Sequence, residues 1–269
     1  MPLARIYTVA VIFAAWLLPA VSCPGQSTDP FHSHPREAAA GYEIRAGSAT
    51  GRKLELRPEP ILRWTNPVPE KQMRGEVFLW TDDGRPAAVL NVFQMDEGSG
   101  PQECHEFCSL ASVGLNTTET AKRQWSPTSS QVTMSPVPNA PPPALNSRQR
   151  LGQMRELTSR FICQKTNRKD ETQTLRLLSQ PLVRYESKSH GVTDGGLFTF
   201  VEATDPEAYL LLEARPLGDS IQWHFGFARM ASVQMQASLD DKKVWEVETL
   251  PYNGYRNRPD LPYTLQIAR

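Results

Sequence analysis

Apolar and polar positions alternate most clearly between Leu175 and Arg229. Short runs rich in Leu, Val, Phe and Trp are separated there by turn-forming groups: Asp194-Gly195-Gly196, Asp205-Pro206-Glu207 and Gly218-Asp219. Short strands and tight turns in that rhythm predict an antiparallel meander. Ile221, Trp223, Phe225 and Phe227 share one phase of its last strand, and Gln222, His224 and Gly226 share the other, so one face is expected to be buried.

Earlier in the chain, two apolar runs, GEVFLWT (75–81) and AAVLNVFQ (87–94), flank Asp82-Asp83-Gly84-Arg85-Pro86, a strong hairpin signal. ECHEFCSLA (103–111) reads as a third strand and Glu119 to Trp125 as a fourth. The periodicity then changes. Leu151, Met154, Leu157 or Thr158, and Phe161 fall at helical spacing behind a capping-box pair, Asn146 and Gln149, which predicts a helix from about Ser147 to Gln164. Beyond Met230, Val233, Met235, Ala237 and Leu239 alternate with polar residues, Asp240-Asp241 turns, and Lys243 to Thr249 follows as a further strand. The tail from Pro251 is expected to wrap the surface, and no internal repeat is expected.

These elements define an α+β protein, mainly antiparallel sheet, with one principal helix. Pro24 to about Pro60 is polar and lacks a sustained period. The expected plan is therefore a signal peptide at 1–22, a disordered tether at 23–57, and a single α+β domain over 58–269. The Pro-rich connector 126–144 is the place where that domain would divide into two lobes.

Composition narrows the function classes. The chain has 29 basic and 29 acidic residues, a balance that gives no electrostatic reason to expect nucleic acid as a partner. The start of the chain is more telling. Arg5 precedes an uncharged run from Ile6 to Leu18, Pro19 breaks it, and Ala20-Val21-Ser22 has the small-x-small form of a cleavage site. That run would span about 20 Å as a helix, against about 30 Å for a bilayer core, so it reads as an export signal. Ala20-Val21-Ser22-Cys23 partly resembles a bacterial lipobox without the usual Leu at its first position. Two outcomes stand open: a lipid anchor on Cys23, or ordinary cleavage nearby. Export also permits disulfides among Cys104, Cys108 and Cys163.

Candidate chemistry is sparse. Cys104-His105-Glu106-Phe107-Cys108 is the densest set of potential ligands, but zinc needs four converging groups, and no second Cys/His pair completes the set; no metal and no cofactor is expected. There is no G-x-S-x-G elbow, no H-E-x-x-H and no Gly-rich phosphate loop, so no catalytic residue is assigned. Asp194, Asp205, Glu207 and Glu213 could supply a hydrolytic carboxylate pair, although turn positions favour Asp for local hydrogen bonding. Trp223, His224, Trp245 and Arg184 are the candidate binding residues, aromatic and basic groups on a sheet of the kind that holds sugars and peptides.

The segments EPILRWTNP, GEVFLWTDDGRPAAV, HEFCSLA, RQRLGQMREL, LRLLSQPLVRYE and GLFTFVEATDPEAYLLLEARP together resemble an uncharacterised family of exported proteins of planctomycete type, over roughly residues 58 to 248. The resemblance implies a bacterial, exported protein in the periplasm or anchored to a membrane, and no particular activity. The leading expectation is a non-catalytic domain that binds an envelope ligand or protein. The alternatives are a hydrolase of envelope polymers and a lipid or lipoprotein carrier with its cavity between helix and sheet.

Overall fold

Two copies of one supersecondary plan follow each other along the chain. The computed structural model describes residues 30–68, 71–96, 101–117 and 123–267. The first copy runs α1 (Pro30–Ala40), β1 (Ile44–Ala46), β2 (Glu55–Leu56), β3 (Leu62–Val68), β4 (Lys71–Asp82), β5 (Arg85–Asp96), β6 (Pro101–Ser109) and β7 (Leu115–Thr117), with β8 (Ser135–Pro136) in the connector. The second runs α2 (Ser147–Thr158), β9 (Phe161–Thr166), β10 (Thr172–Thr174), β11 (Arg176–Leu177), β12 (Val183–Ser187), β13 (Val192–Glu202), β14 (Asp205–Leu217), β15 (Ser220–Arg229) and β16 (Gln234–Leu239). Then come β17 (Lys242–Val247), α3 (Tyr252–Tyr255) and β18 (Tyr263–Ile267). The class is α+β dominated by antiparallel sheet, as the alternation predicts.

From Gly75 onward the copies match residue by residue at a displacement of 120, and earlier positions match within one residue of it. Gly75 pairs with Phe93 and Gly195 with Glu213; Trp80 pairs with Ala88 and Phe200 with Ala208. The register break between Trp80 and Thr81 recurs between Phe200 and Val201. Leu90 opposite Phe107 recurs as Leu210 opposite Phe227. Loop hydrogen bonds repeat as well: Leu110 N to Ala87 O becomes Met230 N to Glu207 O, and Leu54 N to Ile44 O becomes Leu175 N to Cys163 O. This overturns the expectation of no repeat. Its trace in sequence is Ala111-Ser112-Val113 against Ala231-Ser232-Val233, with Phe78, Pro86 and Phe107 against Phe198, Pro206 and Phe227. Substitutions within the apolar class, such as Val77 for Leu197, hide the rest.

Each copy builds one large sheet, and the two sheets face each other. Val77, Leu79, Val89 and Cys108 of the first pack with Leu197, Tyr209, Leu211 and Ala228 of the second. The outer face of each sheet is covered by its own copy's helix and small sheet. Phe78, Trp80 and Leu90 meet Ala39, Tyr42 and Ile44 on one side; Phe198, Phe200 and Phe227 meet Met154, Leu157 and Phe161 on the other. Central strands covered on both faces need apolar residues in both phases, which is why LLLEA and AAVL read as runs rather than alternations. The ends of the copies are exchanged. β8 of the first copy pairs with β15, and β18 of the second pairs with β6.

Several expectations change. Residues 30–57 belong to the fold and are not tether: Tyr42, Ile44 and Leu54 are buried against the first sheet. The helix stops at Thr158, because Phe161 and Cys163 point inward with a period of two, as β9. The tail ends in an edge strand paired with β6, with Tyr263, Thr264, Leu265 and Gln266 buried. The segment expected as a fourth strand lies partly outside the described residues; nearby, Leu115–Thr117 is the strand. No disulfide joins Cys104, Cys108 and Cys163, all buried thiols. Cys104 and Cys108 stand four residues apart on β6, about 13 Å at strand rise, and a disulfide needs Cα atoms within about 7 Å. Cys163 packs in the other copy's outer cluster.

Candidate functional site

The predicted binding residues do not converge. Trp223 is fully buried in the second outer core. Trp245 lies partly buried on β17, its ring stacked on Phe227 at 5.3 Å between centroids. His224 is half-buried and opposes Glu213 in register, with a weak 3.4 Å contact from Nδ1 to the Gln222 carbonyl. Arg184 is spent on structure: its guanidinium holds Asp194 and donates to Ser147 at the start of α2. Cys23 and the export signal lie outside the described residues.

The acids considered for hydrolysis are similarly engaged. Asp194 is held between Arg150 and Arg184. Glu213 accepts from Arg85 Nε at 2.8 Å and from the Tyr185 hydroxyl at 2.7 Å on one oxygen, and from Arg215 Nε at 2.6 Å on the other. Arg85 comes from the first hairpin, so this buried group ties one copy to the other.

The equivalent place on the opposite side of the seam has different chemistry. Position 205 carries Asp where position 85 carries Arg, and position 93 carries Phe where position 213 carries Glu. The polar groups there are Asn91, Glu106, Glu207 and Lys165. Trp64 Nε1 donates to Asn91 Oδ1 at 2.8 Å, Asn91 Nδ2 donates to Glu106 Oε2 at 3.2 Å, and the Tyr263 hydroxyl donates to Glu106 Oε1 at 2.6 Å. Lys165 Nζ donates to Glu207 Oε1 at 2.5 Å and also to Glu202. Burial pushes the Glu106 carboxyl up to about 7. It also pushes Glu207 up to about 7, even with the Lys165 ammonium beside it. Sequence reasoning named Glu106 only within the ligand set Cys104–Cys108 and gave Lys165 no place at this seam; a charged residue inside an otherwise apolar strand phase, Cys104-Glu106-Cys108, was the available signal.

A third polar array pins the first copy's helix. Tyr42 Oη lies 2.7 Å from His105 Nδ1, His105 Nε2 lies 2.8 Å from Glu103 Oε1, and His34 Nδ1 lies 2.7 Å from the other Glu103 oxygen. Burial raises Tyr42 to about 12, so its hydroxyl stays protonated and donates to His105. The hydrogen bond with His105 holds Glu103 down to about 2. Nothing in this row activates a nucleophile; it fastens α1 and the loop after it to β6.

An accessible polar groove lies on the outer sheet of the second copy. In the first copy β1 and β7 are flanked by backbone pairing to Arg52–Leu54 and to Trp125–Pro127; in the second the same places are full strands, in the order β10-β9-β16-β17. Its inner phase, Phe161, Cys163, Met235 and Ala237, is core. Its outer phase is a polar ladder: Gln164 Nε2 donates to Thr174 Oγ1 at 3.4 Å, and Gln236 Nε2 donates to Gln164 Oε1 at 2.8 Å. A groove of about 320 Å³ runs over it, bounded by Ile162, Gln164, Gln236, Ser238, Asp241 and Lys243. The Asp240-Asp241 turn, with both φ angles near +50 to +60°, brings β17 alongside β16. Among the described residues, no group of three or more His, Cys, Asp or Glu side chains is arranged to hold a metal, and no helix is long and apolar enough to cross a membrane. Neither protein-family models, nor curated proteins, nor solved structures provide a match to this chain.

Proposed function

We propose that this is an exported, non-catalytic binding protein of the bacterial envelope that presents the outer face of the sheet β10-β9-β16-β17 to a polar ligand. One observation carries the reading: the outward phase of this sheet is a ladder of hydrogen-bonded amide and hydroxyl groups lining a groove of about 320 Å³. The amides of Gln164 and Gln236, the hydroxyl of Ser238 and the charges of Asp241 and Lys243 offer donors and acceptors in a shallow groove. That chemistry suits a ligand rich in hydroxyl and amide groups, such as an envelope glycan. Export rests on Arg5, the Ile6–Leu18 run and Ala20-Val21-Ser22.

Hydrolysis has less support, because Asp194 and Glu213 are neutralised by arginines that hold elements together. A lipid carrier would need space beneath α2, where Met154, Leu157 and Thr158 are instead buried. The test is an NMR titration of the mature chain with soluble envelope glycan fragments. Shifts should concentrate at Gln164, Gln236 and Ser238, and Gln236→Ala should weaken binding about tenfold. That corresponds to about 1.4 kcal/mol, the scale of one lost hydrogen bond. Turnover of the fragments, or shifts that avoid this face, would reject the reading.

A further inference from the structure

The two hairpin turns at the seam meet the opposite copy in different ways. In the second copy the turn residue Thr204 reaches β3: its hydroxyl accepts from Thr65 N at 3.0 Å and donates to the Thr65 carbonyl. Arg176 on β11, which pairs with Val201, reaches the same turn and donates to the Ala203 carbonyl. One hydroxyl and one guanidinium thus bridge the corner where β11, the turn and β3 come together.

The counterpart corner of the first copy has the same strand pairing and neither bridge. Glu55 pairs with Thr81 as Arg176 pairs with Val201, and a carboxylate cannot donate to a turn carbonyl. Gly84 takes the turn position of Thr204, and it lies against Glu186, which follows Tyr185 on β12 as Thr65 follows Trp64 on β3. A β-carbon added at Gly84 would sit 2.6 Å from the Glu186 carbonyl oxygen, and φ there is +80°, so no side chain stands in for the threonine. Glu186 is also the extra residue of a register break, without a partner across on β13. The result is a pocket of about 360 Å³ lined by Glu55, Arg57, Gly84 and Glu186, with Leu56 and Pro58 as its apolar part. The side chains of Glu55, Arg57 and Glu186 make no ion pair or hydrogen bond among the described residues, whereas Arg184 beside them is held by Asp194.

We propose that this pocket is a second binding site, separate from the outer groove, for a neutral sugar or polyol. The missing bridges define the ligand. One hydroxyl would repeat on the Glu186 backbone the two bonds that Thr204 makes to Thr65, and a second would donate to the turn as Arg176 does. Arg57 presents parallel N–H donors and each glutamate two acceptor oxygens, an arrangement that meets neighbouring hydroxyls two at a time. Two free carboxylates against one free guanidinium leave an excess of negative charge, which disfavours phosphate and other anions. The volume is at the small end for ligand pockets and suits about one sugar ring.

The experiment is an NMR titration of the wild-type chain with glucose and with inositol, and with inorganic phosphate as the anionic control. Both polyols should give saturating amide shifts at Arg57, Gly84 and Glu186 in the millimolar range, and phosphate should give none. Glu55→Arg, which supplies the bridge that the second copy already carries, should abolish these shifts. Arg57→Ala should weaken binding about tenfold. Absence of saturating shifts, phosphate binding as tightly as glucose, or wild-type affinity in either variant would each overturn the site. If Glu55→Arg does not fold, Arg57→Ala and the wild-type titration decide. Shifts confined to Gln164, Gln236 and Ser238 would overturn this site and leave the outer groove standing, and shifts confined to Arg57, Gly84 and Glu186 would do the reverse.

Discussion

The two copies answer one structural problem with opposite charges. Both send a hairpin across the seam to meet the other sheet. The first hairpin delivers Arg85 to a waiting Glu213, while the second delivers Asp205 toward Glu106. One junction is a closed ion pair with an aromatic donor, and the other is a set of acids with too little positive charge. The same backbone, with the same register break beside each hairpin, supports both. Pairing register is thus set by the apolar phases and turn geometry, which leaves the charges at the seam free to diverge. Where the copies agree, the residues are core; where they differ, function is the first place to look.

The largest test of this contrast is removal of one partner at the closed junction. Glu213→Ala would leave Arg85, 3% exposed, without its carboxylate and the Tyr185 hydroxyl without its acceptor. The expected loss is about 3–5 kcal/mol in urea unfolding. The double variant Arg85→Met/Glu213→Leu should recover most of it, since apolar groups of similar size suit a buried site as well as an ion pair does. A loss below about 1 kcal/mol for Glu213→Ala would mean that the pair is solvated and that the contrast between junctions is not energetic.

The alternation between Leu175 and Arg229 gave the meander, and the DDG turn gave the first hairpin, since both signals are local. The second turn was misplaced. It falls at Ala203-Thr204, with Ala203 at φ +52°, and not at Asp205-Pro206-Glu207, because Thr204 is anchored by hydrogen bonds to the Thr65 backbone across the seam. A tertiary contact replaced local turn chemistry there. The helix cap at Asn146 was legible, but its C-terminal end was not, because Phe161 fits both a helical stripe and the first inward position of a strand. The exchanged tails could not be read at all: β8 and β18 are short, and their partners lie far away in sequence. For the site, tryptophans were a poor guide. Trp80, Trp125 and Trp223 are among the largest fully buried side chains, so aromatic residues on this sheet mark core. The residues of the outer groove are Gln and Ser, which no motif singles out.

An intermediate effect probes where the copies agree. Gly75 and Gly195 occupy equivalent positions, and in each case an aromatic ring lies where a β-carbon would go. An added carbon would sit 2.5 Å from the Trp64 indole at Gly75 and 2.7 Å from the Tyr185 ring at Gly195. Neither ring can easily retreat, since Trp64 is bonded to Asn91 and Tyr185 to Glu213. Gly75→Ala and Gly195→Ala should each cost about 1–3 kcal/mol by overpacking, and by similar amounts. Calorimetry of both variants checks this. Indifference at one site alone would show that the copies do not share the packing device that their register implies.

The smallest effect separates sheet from helix as the source of order. Asn146 adopts an extended conformation at the start of α2, and its Oδ1 accepts from Arg148 N at 2.7 Å and Gln149 N at 3.4 Å. The first turn contains no acid and is rich in arginine, so the helix dipole gains nothing from charge there, and the side-chain cap matters more. Asn146→Ala should cost about 1 kcal/mol, or about 2–4 °C in melting temperature for a chain of this size. Asn146→Asp, which keeps the acceptor and adds a negative charge, should equal or exceed the wild type. The loss is small because α2 is held chiefly by Met154 and Leu157 on a sheet that is already paired. A fall several times larger would reverse that order and make the helix the support of the second sheet. The agreement in strand register between the copies would then be a consequence of their helices and not of the apolar phases along their strands.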